Sequence, residues 1–193
     1  MKQMKDLKRF SKEWWNNYWF YYKWHTIAGV VALALIIGTI VEVVNRVNPD
    51  IDIMIASQYM FSDEQLEAIK AGVSDVISDI NNDDLKTVQI MSLNTSLEPK
   101  DEMQAAAREK LYLEFAAGDS FIFFMDKGLF DIYNKEDLFI ELKDGQSYIY
   151  AKQFFDFMTD DIVMCVRVQR VNEKTNYQNV QQFIDAALAG DIK

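Results

Sequence analysis

Residues 26–41, "TIAGVVALALIIGTIV", form sixteen consecutive positions without a charge. A membrane-spanning helix needs about 20 mostly apolar residues, and residues 25–45 supply them if His25 and Glu42 lie near the two interfaces. Just before this run, eight aromatic residues occupy the eleven positions from Trp14 to Trp24, and they include all four tryptophans of the chain. Asn16, Asn17 and Lys23 are interleaved among them, and Trp14/Trp15 and Tyr21/Tyr22 are adjacent, so no single helix face could bury the set. Amphipathic rings concentrate at headgroup level. Trp14, Trp15, Trp19, Tyr22 and Trp24 therefore read as a membrane-interface belt entering a transmembrane helix, with the lipid bilayer as partner through residues 25–45. The alternative, a buried core helix with an aromatic arm, would leave an exposed apolar cluster unusual for a soluble monomer.

Basic residues set the expected topology. Lys2, Lys5, Lys8, Arg9, Lys12 and Lys23 outweigh Asp6 and Glu13 before the run, and after it Arg46 is followed by no base until Lys70. The positive-inside rule then puts the N-terminus in the cytoplasm and residues 47–193 outside. Met4, Leu7, Phe10 (or Ser11), Trp14 and Tyr18 recur every three or four positions, so the first 24 residues fit an amphipathic helix on the inner leaflet. A solvated basic tail serving only as a topology signal fits equally well. "VEVVNRVNPD" has no small-x-small cleavage pattern, which favours a retained signal anchor. The expected organisation is a cytoplasmic juxtamembrane segment at 1–24, a single transmembrane helix at 25–45, a short linker at 46–50 and an extracytoplasmic domain at 51–193, in a bacterial cell membrane.

The last segment is long enough for one ordinary domain with a real core. From residue 47 onward the chain has 13 basic and 27 acidic residues, a net charge of −14. Such a domain repels phosphate backbones and anionic leaflets, so nucleic acid is excluded as a partner. One cysteine, Cys165, makes no internal disulfide and sits in the apolar "IVMCVRV", where it reads as a small buried hydrophobe. A disulfide-free domain outside the membrane suits a bacterium. With one His and one Cys, a zinc site is not expected.

Periodicity predicts the order of elements. "IDIMIAS" (51–57) reads as a strand. The following helix starts with a Ser62/Gln65 capping box and a Phe61/Leu66 staple, and Leu66, Ile69, Val73, Val76, Ile77 and Ile80 line one face. "KTVQIMS" (86–92) is a second strand. Pro99 opens a helix over 99–117 with a Met103, Ala107, Leu111, Phe115 stripe and Gly118 as its stop. "SFIFFMD" (120–126) is an apolar strand covered on both faces. A short helix at "GLFDIYN", an extended "DLFIELKDG" and a strand "QSYIYA" follow. Residues 161–170 form a strand whose Arg167 and Arg170 suggest a wetter side, and a final helix turns Val180, Phe183, Ile184 and Leu188 inward and stops at Gly190. This order predicts an α/β layer fold with a mainly parallel sheet.

The segment 110–144, "KLYLEFAAGDSFIFFMDKGLFDIYNKEDLFIELKD", resembles lobe I of a type 2 extracellular solute-binding protein. Ala116, Ala117, Gly118 and Asp119 match that family's turn, Phe121 to Met125 its strand, and Leu138 to Leu142 its closing phrase; Ser120 and Phe121 stand where members carry Pro-Asp. The resemblance covers roughly residues 51–145 and implies a single lobe of a two-lobed, cleft-binding architecture. The stretch Tyr21-Tyr22-Lys23-Trp24-His25-Thr26 is also similar to small single-anchor membrane proteins of Gram-positive bacteria.

In open α/β sheets, ligands gather at the carboxyl ends of the strands. Those ends are Ser57 and Gln58, Asn94 and Thr95, and Asp126 and Lys127, which would form a ligand or partner site, or else serve as turn and cap residues. Asp79, Asn81 and Asp83 fall at positions 1, 3 and 5 of a calcium-loop pattern, but Asp84 replaces the required glycine and Ile90 the closing Glu, so a helix-ending turn is the expectation and no metal is assigned. Asp160 and Asp161 are neighbours in extended chain and point apart. No Ser-His-Asp set and no Gly-rich phosphate loop is present, so neither catalysis nor a cofactor is expected. The expected function is a non-enzymatic, membrane-anchored accessory module of a bacterial envelope or transporter complex, with a membrane-protein partner or a second copy of the chain. The alternative is a small-solute-binding module that uses the strand ends, as a homodimer if a second lobe completes the cleft.

Overall fold

The computed structural model describes residues 11–44, 48–136, 138–169 and 177–192. They belong to two compact units, Met1–Val47 and Asn48–Lys193. The basic residues Lys2 to Arg9, positions 45–47 of the expected span end and linker, the side chain of Glu42, Asp137 and Arg170 lie outside the described residues.

The first unit is one helix, α1 (Lys12–Val44). At 1.5 Å per residue its 33 residues extend about 50 Å, more than the roughly 30 Å of a bilayer's hydrocarbon core. Ser11 starts it, its Oγ accepting from the Trp14 N–H at 3.2 Å. The aromatic segment is part of the same unbroken helix as the apolar run. Helical spacing of four stacks Trp14 on Tyr18 and Tyr18 on Tyr22, with ring centroids 5.5 and 5.6 Å apart. Among the described residues α1 is the one helix long and apolar enough to cross a membrane. Val30, Leu33, Leu35 and Ile40 are each more than half exposed.

The second unit is an α/β domain around a five-stranded mixed sheet: β1 (Ile51–Ser57), β2 (Val88–Asn94), β3 (Ile122–Asp126), β4 (Ile149–Tyr150) and β5 (Ile162–Val166), in the order β2-β1-β3-β5-β4. β1 pairs in parallel with both β2 and β3, which gives the sheet a parallel centre. β5 runs antiparallel to both β3 and β4. The eleven residues between β4 and β5 contain only a 3-10 turn (Ala151–Gln153), and a parallel return needs a longer crossover, usually a helix.

Helices α2 (Asp63–Ser74) and α5 (Gln178–Ala189) cover one face of the sheet, and α3 (Glu102–Ala117) and α4 (Lys127–Tyr133) cover the other. Period-two alternation divides the strands between two cores. Ile53, Ile55, Ile122, Phe124, Ile162 and Met164 meet Ile69, Val73, Phe183 and Ile184. Met54, Ala56, Phe123, Met125, Val163 and Cys165 meet Leu111, Phe115, Leu129 and Phe130. A sheet covered on both faces explains the near-continuous apolar runs of β1, β3 and β5.

Several expectations shift locally. The Ser62/Gln65 capping box forms, but α2 ends at Ser74 rather than running on to Ile80. The chain beyond it is held instead by long-range bonds: the Asn179 side chain accepts from the Ser78 N–H, and the Asp50 carboxylate accepts from the N–H groups of Ile80, Asn81 and Thr87. β2 starts two residues later than expected, because it pairs along its whole length with β1 from Ile51↔Val88 to Ser57↔Asn94. Helix α3 starts at Glu102, not Pro99, since extended Asp101 caps it by accepting from the Gln104 N–H at 2.8 Å. Met103 is 77% exposed and leaves the expected stripe. Gly118 ends α3 in extended conformation rather than left-handed, and the Glu114 carboxylate folds back to accept from the Ser120 N–H. Leu188 is exposed, whereas Gly190 stops α5 in the expected left-handed conformation, at φ 78°.

The wetter side expected at Arg167 is reversed. Arg167 is buried and Val168 exposed. The guanidinium lies over the Phe121 ring at 4.6 Å and donates to the carbonyls of Ser120 and Gly118 at 3.2 and 3.1 Å. A buried cation is tolerated when planar donors meet oriented carbonyl oxygens.

Candidate functional site

The strand order puts β1 at the point where the chain reverses its direction of travel across the sheet. β2 is added on one side of it and β3 on the other, with α2 and α3 on opposite faces. The carboxyl ends of β1 and β3 therefore open a crevice, the usual ligand position in doubly wound sheets. A cleft of about 330 Å³ lies there, lined by Gln58, Ser96, Leu97, Glu98, Lys100, Asp126, Lys127, Gly128, Leu129 and Asp161.

Asp126 is its best-defined polar group. It ends β3 and precedes α4 without capping that helix. Its carboxylate instead crosses to the end of β1, where one oxygen accepts from Ser57 Oγ at 2.6 Å and the other from the Gln58 N–H at 3.0 Å. Burial pushes its carboxyl above the usual carboxylate range; the bonds from Ser57 and Gln58 act against that, and the charge of Asp161 adds to it. Lys127 donates its backbone N–H to the Asp161 carbonyl at 2.7 Å. Its ammonium turns to Asp131 and lies 4.9 Å from the Tyr148 ring centroid and 5.5 Å from that of Phe130.

Of the six strand-end residues singled out from the sequence, Gln58, Asp126 and Lys127 line the cleft. Ser57 is fully buried and acts behind it by holding Asp126. Asn94 and Thr95 are not among the lining residues. Thr95 is buried, its N–H bonded to the Ser57 carbonyl and its Oγ1 to the Gln104 carbonyl.

Sequence reasoning missed the wall from Ser96 to Lys100 and missed Asp161. Placing the α3 start at Pro99 hid a loop that Gln104 shapes, its Oε1 accepting from the Lys100 N–H at 2.9 Å. Asp161 precedes β5, and only the antiparallel register Asp126↔Ile162 brings it beside the end of β3. Its neighbour Asp160 points elsewhere and pairs with Lys152 at 2.7 Å.

The acidic turn at 79–85 uses its side chains on its own backbone. Asp79 accepts from the N–H groups of Asn82 and Asp84, Asn81 from that of Asp83, and Asp83 from that of Leu85. Among the described residues no group of three or more His, Cys, Asp or Glu is placed to hold a metal ion. Cys165 is fully buried, and burial pushes its thiol well above the ordinary value, the opposite of an activated nucleophile. The interface residues named from the sequence all fall on α1, with Trp15, Trp19, Tyr22 and Trp24 each more than two-fifths exposed and Trp14 stacked on Tyr18. No protein-family model, curated protein or solved structure matches this chain.

Proposed function

We propose that this protein is a membrane-anchored, non-enzymatic binding module. Its N-terminal helix crosses the bacterial cell membrane with residues 1–24 on the cytoplasmic side, and its α/β domain stands outside and holds a small solute at the strand ends. The observation that carries the reading is the cleft at the β1/β3 crevice, with the Asp126 carboxylate fixed at its floor by Ser57 and Gln58. A resemblance to one lobe of a type 2 solute-binding protein agrees with it.

The test is native mass spectrometry of the full chain extracted from its own membranes. The reading expects a bound small molecule that disappears in Gly128→Phe. A Cβ at Gly128 meets only Leu97 Cδ2, at 3.8 Å, so the ring has room to enter and occupy the cleft. A protein that carries no small molecule, or carries the same one in the variant, refutes the reading.

A second reading, an accessory subunit of an envelope or transporter complex, is supported by apolar side chains on α3. Tyr112 and Leu113 are more than half exposed, and Tyr112 lines a shallow groove with Pro99, Ala105, Arg108, Glu109 and Tyr133. A stoichiometric membrane protein that co-purifies with the wild type and is lost on Tyr112→Glu would favour it.

A further inference from the structure

The charges around the strand-end cleft are arranged unequally. Asp126 is half-buried at its floor, and its two hydrogen bonds come from neutral donors. Asp161 stands near enough for its charge to act on Asp126, and Glu98 is a further carboxylate in the lining. Among the described residues no Lys or Arg reaches Asp126 or Asp161 within 4.0 Å; the ion pairs formed are Lys70–Glu67, Lys127–Asp131 and Lys152–Asp160. Lys127, adjacent in sequence, is drawn off by Asp131 and by the faces of Tyr148 and Phe130. Lys100 also lines the cleft; it is exposed, on a long stem free to remain in water. Leu97, about half exposed, supplies an apolar surface, with Leu129 buried behind the lining.

Asp126 is partly desolvated and Asp161 exposed; two carboxylates in one cleft repel each other, and a cation between them relieves the repulsion and offsets the burial of Asp126. The absence of a three-ligand cluster among the described residues argues against a metal ion, which would require more oxygen ligands. An ammonium requires only two or three acceptors. The domain's net charge of −14 draws cations toward it.

We infer that the cleft takes a small aliphatic amine, its ammonium between the carboxylates of Asp126 and Asp161 and its stem against Leu97. This rests on the reading of the cleft as a solute site and specifies the class of solute.

The experiment is ligand-observed NMR on the full chain in zwitterionic-lipid nanodiscs, with three probes of equal stem: n-butylammonium, n-butanol and pentanoate. n-Butylammonium is expected to bind, and Asp126→Asn and Asp161→Asn should each weaken it by about tenfold or more, the loss of one charge-assisted hydrogen bond. Asp160→Asn, one residue away and paired with Lys152, should leave the affinity unchanged. Equal binding in wild type and Asp126→Asn would overturn the inference, because it would report only diffuse attraction to an acidic surface. Butanol or pentanoate binding as well as the amine would overturn the cation and leave the solute site standing. No binding by any probe would overturn the amine, while the native mass spectrum, which reads the cleft whatever its ligand's charge, would still decide the solute reading by itself.

Discussion

Replacing Asp50 with alanine should destabilise the C-terminal domain by about 3–4 kcal/mol. Asp50 is 4% exposed and precedes β1. One carboxylate oxygen accepts from the Ile80 N–H at 2.8 Å and the Asn81 N–H at 3.3 Å, and the other from the Thr87 N–H at 2.7 Å. These bonds tie the middle and the end of the irregular segment between α2 and β2 to the start of β1. Removing a charged acceptor costs roughly 1.5 kcal/mol for each of the two short bonds and less for the long one, since the donors are left without a partner. Against a total stability of about 5–15 kcal/mol this is a large fraction. Asp50→Asn keeps one oxygen but turns an NH₂ toward a donor, so about half the loss is expected. The assay is urea unfolding of the full chain in neutral detergent, read by labelling of Cys165, the one cysteine and fully buried. With a slope of about 2 kcal/mol per molar urea, the alanine variant's midpoint should fall by roughly 1.5–2 M. Amide exchange at Ile80 and Thr87 should accelerate in parallel. A midpoint shift below about 0.3 M, or unchanged exchange at those two amides, would refute the view that this carboxylate organises the segment.

Four further outcomes are expected. Asp52 has its carboxyl pushed up to about 6 by burial first, then by Asp119 and Glu114; the folded state therefore favours the neutral form, and stability falls as pH rises from about 4 through 6. Asp52 is only partly buried, so screening reduces a full value of roughly 3 kcal/mol to about 1, and Asp52→Asn should unfold at higher urea than wild type at pH 7.5 but match it at pH 3.5. Arg167→Ala removes two donors and opens a cavity beside Phe121, and should cost about 3–5 kcal/mol in the same unfolding assay. Ser62→Ala breaks the capping box of α2 and should cost about 1 kcal/mol. All four tryptophans lie on α1, so tryptophan emission in nanodiscs should be quenched most by headgroup-level quenchers and should not change when urea unfolds the C-terminal domain.

How much was legible from residues alone depended on the range of the forces involved. Ser62 and Gln65 close a ring within three positions, and the Phe121 to Met125 run could only be a strand covered on both faces. Such signals are local. The boundaries of α2 and α3 moved because side chains distant in sequence or outside the periodic pattern compete for the same backbone groups: Asn179 and Asp50 take the amides beyond Ser74, and Asp101 caps α3 three residues later than Pro99 suggested. At the candidate site, Gln58, Asp126 and Lys127 line one cleft because parallel strands fed by helices bring those ends together. Asp161 was not legible in the sequence, because its place depends on β5 running antiparallel to β3.

Sequence alone determined that this chain has an apolar helix long enough for a bilayer, preceded by an aromatic belt, and one acidic α/β domain. These are properties of composition and of periods two and 3.6, and they need no knowledge of neighbours. Only the tertiary structure decided that Arg167 is buried over Phe121 while Val168 faces water, that Asp126 turns from its own helix to Ser57 and Gln58, and that Lys127 is held away from the two carboxylates beside it. The first two results set desolvation against partners more than forty residues away, about which alternation along one strand contains no information; the third adds to the local Asp131 pair the Tyr148 ring brought in from another segment.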